Sequence, residues 1–70
     1  MGKKFNERLK ELRIEKGYSQ KNIALKLDVS VTCYAGYEQG YRQPDLKMLI
    51  KICLLFEVSA DYLLGMTDEF

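Results

Sequence analysis

The chain has 70 residues, room for one small domain and no second. Hydrophobic residues make up 47%, which excludes a disordered tail, and eleven Lys/Arg against ten Asp/Glu leave a net charge of +1, short of a strongly basic nucleic-acid binder. Two cysteines, twenty positions apart, and no histidine exclude zinc-finger spacing, a redox CxxC pair and any histidine-dependent catalytic site.

The first four residues read as a frayed start. Lys3 and Lys4 there are either a basic arm toward DNA phosphates or plain solubilising charge. Helix one is predicted from about Phe5 to Lys16, on an apolar stripe of Phe5, Leu9 and Leu12, with Gly17 as its cap. Tyr18 then turns toward the core. Ser19 caps helix two, Gln20 to Leu27, whose apolar face is Ile23, Ala24 and Leu27. Asp28-Val29 turns the chain, with Val29 under the turn. Ser30 caps helix three, Val31 to Glu38, and Gly40 stops it in a left-handed cap. Two helices this short need each other and a larger partner to be stable.

Helix three divides into two faces. Cys33, Tyr34, Tyr37 and Glu38 carry the large rings and are expected inward. Val31, Thr32, Ala35 and Gly36 are then outward, small and uncharged, a face suited to lying in a groove. Helix four, about Asp45 to Phe56, is apolar around most of its circumference, so part of it should stay open in a monomer unless helix five covers it. Met48, Leu54 and Leu55 are the expected contacts of a homodimer built on helices four and five. Ser59 caps helix five, Ala60 to Leu64, which ends at Gly65, and residues 66–70 read as an untied tail. Cys33 and Cys53 fall at partly buried helical positions and act as small apolar filler. Residues 1–42 hold nine basic and five acidic side chains, residues 43–70 two and five. This is either scatter of surface charge or a basic side facing phosphate with an acidic side facing away.

The run SQKNIALKLDVSVTCYAGYEQG at 19–40 resembles the helix-turn-helix DNA-binding family of phage repressors and Cro, often called the XRE family. RLKELRIEKGYSQ at 8–20, YEQGYRQPDLKML at 37–49 and VSADYLLG at 58–65 are similar to that family as well, so the resemblance covers about residues 5–65. It implies an all-α, compact five-helix repressor-like bundle with the helix-turn-helix at 19–40. The function it implies is that of a transcriptional regulator, expected to be a repressor, inserting helix 31–38 in the major groove of double-stranded DNA as a dimer. It also implies an ion pair between Arg13 and Glu38, and a loop of Tyr41, Arg42 and Gln43 that passes a phosphate, with Arg42 the contact and Tyr41 a hydroxyl donor.

Two departures fall in helix two and its turn: Asn22 stands where a glutamate often completes a capping box, and Asp28 where a glycine often turns the chain. Gln20, Ser30 and Lys21 are expected on phosphates near helix starts. Val31, Thr32, Ala35 and Gly36 are expected at base edges, where relatives commonly carry Gln, Arg, Ser or Asn. Only Thr32 of the four has a hydrogen-bonding side chain, so the readout expected is AT-leaning and weak. The alternative is an antitoxin-like or regulator-binding subunit that acts through a protein partner. No cofactor, metal or catalytic site is expected. The chain contains no signal peptide and no apolar run of membrane length, so a cytoplasmic protein with reduced thiols is expected.

Overall fold

The computed structural model describes residues 4–67. Five α-helices follow in order: α1 (Phe5–Glu15), α2 (Gln20–Leu27), α3 (Val31–Gln39), α4 (Leu46–Phe56) and α5 (Ala60–Leu63). No strand occurs among the described residues. Residues 1–3 and 68–70 lie outside them, and with them Lys3 of the expected arm and the end of the expected tail. The start of that tail is tied back, since the Met66 N–H donates to Asp61 O at 2.8 Å.

Each helix start is set by a short polar side chain wherever one is available. Ser19, Ser30, Asp45 and Ser59 accept the N–H three residues on, at 3.0, 3.0, 2.8 and 3.1 Å. These bonds satisfy donors that the helix itself leaves open. Asn22 completes the capping box despite being shorter than glutamate: its Oδ1 accepts the Ser19 N–H at 3.2 Å. Asp45 is the cap of α4 rather than its first residue, and α3 runs one residue past Glu38. Asp28 adopts the left-handed turn (φ 60°, ψ 46°), and the Val29 N–H closes it on Ala24 O at 3.0 Å. Glu57 takes the same conformation after α4 (φ 57°), a feature with no glycine to announce it.

The core is Leu9, Leu12, Ile23, Ala24, Leu27, Tyr34, Tyr37, Ile52, Phe56 and Leu63, drawn from all five helices. α3 packs on both α1 and α2, so the helix-turn-helix is seated on the first helix, while α5 closes against α4 and α1. Arg8 is buried as well. Its guanidinium lies 4.2 Å from the centre of the Tyr62 ring and joins α1 to α5 by a cation–π contact.

The open part of α4 differs from expectation. Met48 and Leu55 are half-buried because they pack on the core. The side chains left open are Leu46, Ile50 and Leu54, an i, i+4, i+8 row. Leu54 is 74% exposed. α4 packs on α2 and α5, and this row stays uncovered by either.

Candidate nucleic-acid interface

Between α2 and α3 the chain presents two helix starts close in sequence. Ser30 caps α3 by accepting the Cys33 N–H, which leaves its own hydroxyl proton to donate outward. Lys21 is exposed on the first turn of α2. Gln20 is placed differently from expectation. It is half-buried, and its Nε2 donates to Glu38 Oε1 at 3.1 Å, so only one of its two N–H groups remains for a phosphate.

That bond belongs to a cluster behind α3. Arg13 Nε lies 2.6 Å from Glu38 Oε2, and Nη2 lies 3.2 Å from Oε1, a two-pronged pair. Arg13 Nη1 also donates to Tyr18 O at 2.9 Å. The Glu38 side chain is only 2% exposed. Burial pushes its carboxyl pKa up, but the Arg13 hydrogen bonds, the nearby Tyr34 hydroxyl, the Gln20 hydrogen bond and the Arg13 charge outweigh burial and hold it below its ordinary value. The Tyr34 hydroxyl is buried beside Glu38 without a hydrogen bond of standard geometry, yet close enough to favour the carboxylate. Burial, and then the Glu38 charge, push the Tyr34 phenol far up. Tyr37 is pushed up to about 12 by burial and by the Cys33 thiol, which donates to its oxygen at 3.5 Å. The cluster thus joins α1, α2 and the last turn of α3 with ionised partners.

On the opposite side of α3, Val31 and Thr32 are exposed and Ala35 is half-buried. Gln39 is exposed next to them. It completes the series 31, 35, 39 at i, i+4, i+8 and was legible from spacing alone, except that the helix was expected to end one residue earlier. Gly36 is not on the open surface as expected. It is buried beneath the stem of Arg42, whose Cγ and Cδ would lie 3.1 Å from a Cβ placed on residue 36. The loop is held there by Gly40 in the left-handed region (φ 86°) and by two bonds to one acceptor. The Tyr41 and Arg42 N–H groups donate to Gly36 O at 2.9 and 3.1 Å. Tyr41 projects into solvent and is 84% exposed. Val31, Thr32, Ala35, Gly36 and Gln39 together with Tyr41 and Arg42 line one open depression of about 460 Å³. A surface of this kind can hold a polymer edge through apolar contact and a few donors. No group of His, Cys, Asp or Glu suited to a metal ion occurs among the described residues.

The model of the helix-turn-helix family matches residues 9–63. The chain is 48% identical over 61 residues to the HTH-type transcriptional regulator ImmR of Bacillus subtilis (strain 168), covering 87% of this chain and 48% of ImmR. Among solved structures it is similar to the restriction-modification controller protein C.AhdI from Aeromonas hydrophila, with a TM-score of 0.76, 30% identity and coverage of 84% and 89% of the two chains. It is similar also to SinR, the master regulator for biofilm formation of Bacillus subtilis, in complex with DNA, with a TM-score of 0.77, 31% identity and coverage of 86% and 97%. The chain spans about half the length of ImmR and of other curated relatives that it matches.

Proposed function

We propose, from the premise that this chain belongs to the helix-turn-helix family, that it is a DNA-binding transcriptional regulator acting as a repressor, with α3 docked in the major groove. The observation that carries this reading is the division of α3. One side is fixed by the buried Arg13–Glu38–Gln20 cluster, and the other is left open with no charged side chain on the helix. The complex of SinR with DNA, similar to this chain over most of its length, supports the same use of the fold. In this reading Lys21, Ser30 and the free N–H of Gln20 hold phosphates and set the register. Val31, the Thr32 methyl and Ala35 meet thymine methyls, Thr32 adds a hydroxyl, and Tyr41 stands at the groove wall. The protein works in the cytoplasm by binding rather than by catalysis.

The exposed Leu46–Ile50–Leu54 row favours a homodimer, which would present two α3 helices to two half-sites about 34 Å apart. The same row would serve a different protein partner in the second reading, a regulator-binding subunit. Selection from random duplex pools followed by a salt titration tests the first. Affinity is expected to fall with salt, each neutralised phosphate adding about 0.9 to the logarithmic slope, and Lys21→Ala should lower that slope by about that amount. Failure to bind any duplex at low salt would move the protein to the second reading.

A further inference from the structure

We propose that Arg42 is a specificity-determining residue that reads a guanine in the major groove, with Gly36 serving as its seat on α3. The inference rests on the DNA-binding reading and deepens it. Four observations carry it. On the open face of α3, Val31, Thr32 and Ala35 hold no side chain able to make two hydrogen bonds to one base, and Gln39, which could, stands at the last residue of the helix. Gly36, in the middle of that helix, is covered by the Arg42 stem, and a methyl group there would stand 3.1 Å from Arg42 Cγ and Cδ. The stem is therefore laid against the recognition helix rather than left free in a loop. The Arg42 backbone is fixed relative to α3 as well, through the bonds from Tyr41 and Arg42 to Gly36 O. Lastly, the Arg42 guanidinium takes no hydrogen bond or ion pair among the described residues, although Arg13 in the same chain is fully engaged.

A planar fork of donors matches O6 and N7 of guanine, and a stem that lies on α3 starts that fork from the recognition helix itself. A loop arginine that only touches phosphate gains nothing from a seat cut into the reading helix. The missing side chain at position 36 is then part of the reading surface: it gives up a contact of its own so that a side chain six residues on can occupy the same place.

The test uses the full chain and duplexes selected from random pools. Wild type should prefer G·C at one position in each half-site. Arg42→Ala should lose that preference while keeping the others, and circular dichroism should show the same folded state, since the side chain is exposed. Replacing that guanine by 7-deazaguanine, which removes N7 and leaves every phosphate in place, should weaken wild type roughly fivefold or more and leave Arg42→Ala unchanged. Gly36→Ala should reduce the preference at the same base pair, and should do so only when Arg42 is present. Uniform weakening of all duplexes by Arg42→Ala, with the base preferences intact and no effect of 7-deazaguanine, would overturn the proposal and leave Arg42 a phosphate contact. An unchanged preference in Gly36→Ala would overturn the seat. Absence of binding by wild type to any duplex would overturn the DNA-binding reading, and this inference with it.

Discussion

Glu38 is withdrawn from water and yet ionised, a state that survives only because Arg13, Gln20 and the backbone-anchored geometry of Arg13 hold it. Arg13→Ala would strand that carboxylate, at a cost of roughly 3–5 kcal/mol, a large part of the total for so small a domain. Urea unfolding of the variant should show the loss as a lower midpoint. The carboxyl pKa is depressed in the folded state, so its contribution is fully present above the ordinary value of 4.5 and is lost as pH falls through the depressed one. Stability measured from pH 6 downward should therefore drop faster in wild type than in Glu38→Gln. A parallel fall in the two proteins would show that other carboxylates set the acid limit. Arg13 and Glu38 were readable as partners only through family resemblance, because 25 positions separate them and each looks like a surface charge. Arg8 was not readable at all. It stands beside the apolar stripe of α1, and its place over Tyr62 depends on where α5 comes to rest.

At the level of the helices, periodicity and caps gave all five elements with ends within a residue or so, because serine and aspartate mark the starts by a local bond. The covered side of α4 was not legible, since apolar residues nearly encircle it and the choice is made by where α2 and α5 pack against it. The left-handed residue after α4 was likewise hidden, as Glu57 has no intrinsic preference for it. A left-handed conformation costs a non-glycine residue about 1–2 kcal/mol, of which the greater chain entropy of glycine returns roughly half. Glu57→Gly should thus stabilise the protein by about 0.5–1 kcal/mol, raising its melting temperature a few degrees. Asp28→Gly should do so by less, because aspartate tolerates the region better. A lower melting temperature for Glu57→Gly would mean that the glutamate side chain contributes something its geometry does not suggest.

For the molecule as a whole, the proposed dimer makes the sharpest expectation. If the Leu46–Ile50–Leu54 row is the contact, Leu54→Lys should yield a folded monomer by sedimentation, with weaker binding to a two-half-site duplex and little change on a single half-site. A wild-type protein that stays monomeric at every concentration would rule that arrangement out. The division of α3 has a further consequence, for how such a protein changes over time. In the proposed reading, side chains that keep the fold together and side chains that meet DNA lie on opposite sides of one nine-residue helix. The exposed positions 31, 32 and 39 would then drift, or be rewritten in the laboratory, with little penalty in folding, while half-buried Ala35 admits fewer replacements. Gly36 is the exception. A Cβ there would stand 3.1 Å from the Arg42 stem and push against it, so on the proposed role of Arg42 a lineage that fills this position trades one reading side chain against another.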